Sequence, residues 1–326
     1  MSLLDNVKES CLLTSIRARL FTGSLESAIY LLSSICAVPA SVSILPAINT
    51  NFTHHIAAGL ANGDTITGQN NISHPSEPST NGRPDSNPHD PPSPARLRTE
   101  SEEQDKIEDA NLPGTHPSLR QPAITFSKTH STSSDLPARI SRLWYINPYG
   151  QEIRLPANTR VIEALDTAST VIYSIGSLFT SLIPSLILKN VGHALATSAT
   201  IRSKILLLNG TNDRETGPSS SPFSALDFVA AIANACCESR GVGPPKKAEY
   251  WRYVTHVVYL EGGNGAPSVD RNELAKCGIE AIKIYGRRAA DGEIRYDADA
   301  LRGALGMVLG RGDLRGERSR RNTLEH

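Results

Sequence analysis

Val171-Ile172-Tyr173-Ser174-Ile175-Gly176-Ser177-Leu178-Phe179-Thr180-Ser181-Leu182-Ile183-Pro184 is the stretch that decides the fold. An apolar, β-favouring run enters a Gly/Ser turn, and an apolar stretch containing Pro184 follows. That is the pattern of a strand delivering the chain through a tight loop into a helix, with proline in the first helical turn, where no donor is lost. The pattern recurs downstream. Residues 204–208 read as a strand, then a loop, then a helix over 224–239 with Leu226, Val229, Ala230 and Ala233 on one face and Ser224/Asp227 at capping-box spacing. Residues 254–260 and 279–285 are two further strands, and Ala298, Leu301, Leu305 and Val308 mark a last amphipathic helix. Strands alternating with helices imply crossover units, hence an α/β fold with a mainly parallel sheet and flanking helices.

Upstream the pattern differs. Leu25, Ala28, Ile29, Leu32 and Ile35 recur at helical spacing, and Val42-Ser43-Ile44-Leu45 reads as the start of a strand. Ile56, Ala58 and Leu60 alternate up to Asn62-Gly63, with Thr65-Ile66-Thr67 beyond, which predicts a β-hairpin. Residues 139–146 form another strand, Asn147-Pro148-Tyr149-Gly150 a turn, and Gln151-Glu152-Ile153 a return strand. Between the two hairpins, residues 74–123 hold ten prolines, no aromatic residue and an acidic run. Such a segment buries too little apolar surface to offset the entropy of ordering, so most of it reads as a disordered insert.

Composition narrows the function. The 326 residues carry 33 basic and 33 acidic side chains, which argues against a general nucleic-acid binder. Five cysteines form no CxxC pair and no metal-ligand spacing, which points to reduced thiols in a cytoplasmic protein. Residues 27–53 and 167–188 lack charge, but Pro39, Pro46, Gly176 and Pro184 interrupt them, so no membrane span is expected. The N-terminus has no secretory pattern.

In an open α/β sheet the ligand sits beyond the carboxyl ends of the strands. The first loop offers Gly176, where backbone can approach a ligand, the hydroxyls of Ser177, Thr180 and Ser181, and free N–H groups at a helix start suited to an anion. The same residues also make an ordinary Ser-rich helix cap, and spacing alone does not separate the two. The second loop, Asn209-Gly210-Thr211-Asn212-Asp213-Arg214-Glu215-Thr216, carries Asn and Asp groups able to read a base or ribose and an arginine able to hold phosphate; a solvated loop is the plain alternative. Asn49, Asn51 and His54 are candidates to line the pocket, although His54 and His55, adjacent on a strand, point to opposite faces. Trp144-Tyr145 and Cys236-Cys237 read as core, and the arginine-rich stretch 311–326 as a basic tail interrupted by Asp313 and Glu317.

The first loop resembles the signature of the CofD/YvcK superfamily, a strand followed by Gly-Pro-Gly-Ser-Leu-Tyr-Thr-Ser-Ile and then proline. Gly176, Ser177, Leu178, Thr180, Ser181 and Pro184 match in register, while Ser174-Ile175 replaces the first Gly-Pro pair. The family's next strand ends in Asn and leads to Gly-Glu-Thr. Asn209, Glu215 and Thr216 match, with Arg214 at the glycine and a loop one residue shorter. Asn49-Thr50-Asn51-Phe52-Thr53-His54-His55 and the hairpin into Gly68-Gln69 also resemble family positions, closest to a eukaryotic branch.

The resemblance implies a Rossmann-like fold built from residues 16–77 and 124–310, around the insert 78–123, with 1–15 outside the family and 311–326 as tail. It further implies a small-molecule nucleotide ligand at Gly176, Ser177, Thr180, Ser181, Asn209, Asn212, Glu215 and Thr216. The ligand would be a GDP- or UDP-type nucleotide or nucleotide sugar, with Mg2+ as companion and a homo-oligomer as assembly. One branch transfers 2-phospho-L-lactate from a nucleotide carrier to a deazaflavin. The other binds a nucleotide sugar and regulates carbon metabolism, and the Gly-Ser-Leu-aromatic-Thr-Ser loop lies nearer to it. The family's opening strand, its Gly-Gly-Thr-Gly loop and its Asp-Asp-Gly-Gly-Ser-Ser-Gly stretch have no counterpart in the sequence. The expectation is therefore a sheet without its first strand, half a nucleotide site and impaired transfer. For the insert, deletion of residues 81–107 is expected to leave the melting temperature nearly unchanged; a large drop would show that the segment packs on the domain.

Overall fold

The computed structural model describes residues 25–50, 54–73 and 135–310, apart from 175, 263, 264, 290, 291 and 293. The first helix, α1 (Leu25–Ile35), stands where the periodicity puts it. The expected strand at 42–45 does not form. That segment is irregular, and the chain after it is held from the side by Asn158, whose backbone N–H donates to the Ala47 carbonyl and whose Nδ2 donates to the Pro46 carbonyl. Prolines at 39 and 46 flank the segment and cannot donate to a ladder, and the Val42 N–H is spent on the Pro39 carbonyl.

The hairpin is present: β1 (His55–Leu60) pairs antiparallel with β2 (Thr65–Thr67), Ala58 opposite Ile66. Gly63 takes a φ of 93° in the turn, a value that disfavours any side chain. A short helix, α2 (Gln69–Ser73), follows. The chain resumes in β3 (Ile140–Ile146), which pairs antiparallel with β1, and β4 (Glu152–Ile153) folds back on β3 as expected. The antiparallel sheet has the order β2-β1-β3-β4. The insert therefore lies between β2 and β3, strands that flank β1 on opposite sides. The insert itself, residues 1–24 and the tail from 311 lie outside the described residues.

The second sheet is wholly parallel. It comprises β5 (Thr170–Tyr173), β6 (Ser203–Leu207), β7 (His256–Leu260) and β8 (Glu280–Ile284), adjacent in that order. All five residues of β6 are buried, the mark of a central strand covered on both faces. Leu206 and Leu208 face the main core with Val257, while Ile205 and Leu207 face a second cluster with Val258, Leu260 and Ala304. The main core also takes Ile56, Leu143 and Tyr145 from the antiparallel sheet, so both sheets share one interior.

After β5 the chain enters a π-helical turn (Leu178–Leu182), then α4 (Ile183–Leu186) and α5 (Val191–Thr197); α3 (Thr159–Thr167) precedes β5. The helix expected after the Gly/Ser turn, with Pro184 in its first turn, is broken into two. Lys189 N–H donates to the Leu155 carbonyl, and the Ala157 N–H donates to the Lys189 carbonyl. With that backbone spent on a remote strand segment, the helix stops, and Asn190 turns the chain at a φ of 75°. The long α6 (Ala225–Arg240) opens with the expected capping box: Ser224 Oγ accepts from Asp227 N–H, and Asp227 Oδ2 accepts from Ser224 N–H at 2.8 Å. It ends at Gly241 in the left-handed conformation. Then come α7 (Arg271–Lys276), a ribbon of β9 (Gly286–Arg288) and β10 (Ile294–Tyr296), and α8 (Ala298–Val308). Among the described residues no helix is long and apolar enough to cross a membrane.

Helices α5 and α6 touch through backbone. Gly192 N–H donates to Ser239 Oγ at 2.9 Å, and Ser239 Oγ donates to the Leu188 carbonyl. A methyl at Gly192 would fall on the Cys236 carbonyl, a backbone group that cannot swing away. Gly192→Ala is expected to cost about 2 kcal/mol or more, the scale of overpacking in a tight core. Gly303→Ala, on α8 with open space around it, is expected to gain a few tenths of a kcal/mol to about 1 kcal/mol. Chemical denaturation of both variants checks the pair.

Candidate functional site

Strands β5 and β6 are adjacent and parallel, so their carboxyl-end loops meet. Asn209 Nδ2 donates to the Gly176 carbonyl at 3.2 Å, tying the second loop to the first. The stronger tie is Glu215, 1% exposed. Its Oε2 accepts the backbone N–H groups of Phe179 and Thr180 at 2.9 Å each, and its Oε1 accepts the Thr180 hydroxyl at 2.5 Å. An internal carboxylate thus takes the N–H groups that the sequence offered to an external anion. Burial pushes the Glu215 pKa above the usual glutamate value, opposed by the Thr180 and Phe179 donors.

Glu215 is held rigidly. It lies in a short 3-10 turn (Arg214–Thr216) capped by Asp213, whose Oδ1 accepts from the N–H groups of Glu215 and Thr216, while Thr216 Oγ1 accepts the Asp213 N–H. Thr216, fully buried, accepts Phe223 N–H through its carbonyl. Arg214, where the family motif has glycine, reaches from Nε to the Ile72 carbonyl of α2 at 3.1 Å and so draws the first hairpin's helix to the loop.

The expected site residues thus divide. Gly176, Thr180, Asn209 and Glu215 come together, and their polar groups bind one another; Thr216 belongs to the same scaffold. Ser177, at the cap position, makes no side-chain cap bond, and Ser181 is exposed. Gly176 must be small, because a Cβ there would stand 2.9 Å from Ser181 Cβ. Asn212 donates its N–H to the Gly265 carbonyl and its Nδ2 to the Phe223 carbonyl, yet its Oδ1 is buried with no hydrogen-bond partner among the described residues. His54 Nδ1 is in the same condition. Buried polar atoms are nearly always partnered, so two orphans in the expected site are informative. Asn49 is exposed, and Asn51 lies outside the described residues.

For a divalent cation the fit is poor. Both Glu215 oxygens and Asp213 Oδ1 are spent on backbone or hydroxyl donors, and no group of three His, Cys, Asp or Glu side chains gathers among the described residues. Cys236 and Cys237 are buried in α6, and burial pushes the Cys236 thiol far up, which makes it unreactive.

Sequence reasoning missed a second feature. A cleft of about 310 Å³ runs between β3 and α6, floored by Phe179, Ile183, Ile187 and Phe223. Its rim charges are paired across it, Arg139 with Asp227 at 3.3 Å and Arg142 with Glu238 at 2.6 Å. The only signal was charge on the outer face of a strand and on a helix, which does not say that the two oppose each other.

Comparison with known proteins agrees with this architecture. The sequence model of the family described as 2-phospho-L-lactate transferase CofD matches residues 9–283. Uncharacterized protein YNL011C of Saccharomyces cerevisiae is 37% identical over 284 residues, which cover 82% of this chain and 62% of the yeast protein. A Clostridium acetobutylicum protein named "Putative gluconeogenesis factor" is 30% identical over 168 residues, 48% of this chain and 35% of its own length. The chain thus spans less than two thirds of the length of either relative. Two crystal structures of protein BH3568 from Bacillus halodurans, described in one as a member of the UPF0052 family, superpose with a TM-score of 0.52 at 16% identity. The first superposition covers 87% of this chain and 67% of the other.

The Glu215 tie is testable. Glu215→Ala leaves two N–H groups without their acceptor and is expected to cost about 2–4 kcal/mol, counting one to two unsatisfied buried donors. Glu215→Gln can still accept from both N–H groups and is expected to cost far less. Because the folded-state pKa is raised, the native protein holds this proton more tightly than the unfolded chain. Stability therefore falls as pH rises from the usual glutamate range through the raised value. That slope should be smaller in Glu215→Gln when urea melts are compared across pH.

Proposed function

Because the chain belongs to the CofD family, we propose that it binds a GDP- or UDP-type nucleotide or nucleotide sugar, with the phosphates at the carboxyl ends of β5 and β6. The observation that carries this reading is the pair of loops at residues 174–181 and 209–216. They are locked together by Glu215 and Asn209, and Asn212 Oδ1 and, from the strand entry before β1, His54 Nδ1 are buried without hydrogen-bond partners among the described residues. A preorganised frame with unsatisfied polar atoms is what a polar ligand needs, since binding then costs no reordering of the loops.

In this reading Glu215 and Thr180 position the turn and do not touch the ligand. The hydroxyls of Ser177 and Ser181 face the phosphates, and Asn212 and His54 meet the polar part of the ligand. The transfer of 2-phospho-L-lactate from a nucleotide carrier is the family-level chemistry. Binding without turnover, as in a nucleotide-sugar-responsive regulator of carbon metabolism, is favoured for this chain by one observation. Both oxygens of Glu215, the buried carboxylate of the second loop, are engaged by backbone and hydroxyl donors, which commits it to the scaffold and not to moving a substrate proton.

Calorimetric titration with GDP and UDP tests the reading. Saturable binding is expected, and the combined Ser177→Ala, Ser181→Ala variant should bind about 1–3 kcal/mol more weakly, the scale of lost hydrogen bonds to a charged group. Unchanged affinity in that folded variant would overturn the assignment.

A further inference from the structure

Asn209 and Glu215 join the second strand-end loop to the first. On its other side the second loop is joined to a third. Strand β6 lies between β5 and β7. The Asn212 N–H donates to the Gly265 carbonyl at 2.8 Å, and the Ala225 N–H, at the start of α6, donates to the Ser268 carbonyl at 2.8 Å. Leu260, the last residue of β7, also approaches the second loop: a Cβ at Gly210 would stand 3.4 Å from Leu260 Cδ1. The chain leaving β7 thus runs along the second loop, on the side away from Ser177 and Ser181.

Asn212 stands at this second junction with its side chain fixed. Its Nδ2 donates to the Phe223 carbonyl at 3.1 Å. The amide has one orientation, because with nitrogen and oxygen exchanged two carbonyl oxygens would face each other. The atom left over is therefore an acceptor: Oδ1, buried and with no hydrogen-bond partner among the described residues. An acceptor asks for a donor. Phosphate groups present acceptor oxygens and do not supply one. A divalent cation would need further oxygens, and both Glu215 oxygens and Asp213 Oδ1 are spent on internal donors. A base edge offers N–H groups, but a base is ordinarily held by stacking on a ring, and neither residues 209–216 nor residues 261–268 include an aromatic residue. At Gly265, whose carbonyl holds the Asn212 amide, a Cβ would meet nothing within 4 Å. Open space beside a fixed, buried acceptor, with no ring to stack on, fits a hydroxyl-bearing sugar.

We propose that the β7 side of the site is a sugar subsite, in which Asn212 Oδ1 accepts a ribose hydroxyl of the nucleotide whose phosphates lie at the β5 and β6 loops, an inference that rests on the nucleotide reading above. Asn212 is thereby a specificity-determining residue. It selects ribonucleotides over deoxy counterparts, because a ligand without the hydroxyl leaves a buried acceptor unpaired. It also sets the direction of the ligand, with phosphates over β5 and β6 and the pentose toward β7.

Calorimetry on the full chain with GDP, 2′,3′-dideoxy-GDP and inorganic pyrophosphate tests this. GDP should bind about tenfold more tightly than its dideoxy counterpart, the scale of one hydrogen bond whose loss leaves a buried acceptor unpaired. Asn212→Ala should bind the two nucleotides alike and leave pyrophosphate unchanged. Equal wild-type affinity for the two nucleotides would overturn the proposal whether or not the variant folds. A preference that persists in Asn212→Ala, or parallel loss of GDP and pyrophosphate affinity, would overturn it too. Wild-type chain that binds pyrophosphate as tightly as GDP would overturn it and leave the phosphate site standing. Absence of all binding would overturn the phosphate site as well.

Discussion

A buried carboxylate from the loop after β6, bound to the first turn after β5, organises the centre of this molecule. Removing an acid from water is costly, and the cost is offset when its oxygens collect several donors in fixed geometry. Glu215 collects three, two of them backbone N–H groups at a helix start. The positive end of that turn lowers the cost further. What depends on it is wide: the register of the two strand-end loops, the place of Phe223 above Thr216, and, through Arg214, the seat of the first hairpin's helix.

The parallel sheet was legible because each strand is a short apolar run bounded by polar or glycine-containing loops, and the capping box at Ser224 and Asp227 because it is local. The hairpin over Asn62-Gly63 was legible for the same reason. What failed to show was whatever depends on remote backbone. The break at Asn190 follows from Lys189 bonding to Leu155 and Ala157, residues more than thirty positions earlier. Likewise the chain just past 42–45 is set by Asn158, more than a hundred positions later, which takes the Pro46 and Ala47 carbonyls. Periodicity reports which faces are apolar and is silent on which carbonyl a distant amide will find.

The candidate site was half legible. Sequence assigned the candidate residues to two strand-end loops, and the structure brings those loops together through Asn209 and Glu215. Sequence did not show which of them face a ligand and which face each other, since Glu215 reads equally as a ligand group or as scaffold until the loops are brought together. The orphan acceptor of Asn212 is a property of three neighbours, Gly265, Phe223 and the loop itself, and no local pattern encodes it.

Phe179 has two faces. Its amide belongs to Glu215, while its ring floors the cleft between β3 and α6 and meets Phe223 edge-on at 5.9 Å, which meets Phe228 at 6.1 Å. The residue works as a lever whose fulcrum is the π turn. Close-packed aromatic rings transmit displacement and do not absorb it. Anything that wedges the cleft open therefore tilts the amide at the other end, and the two surfaces of the molecule share one mechanical part.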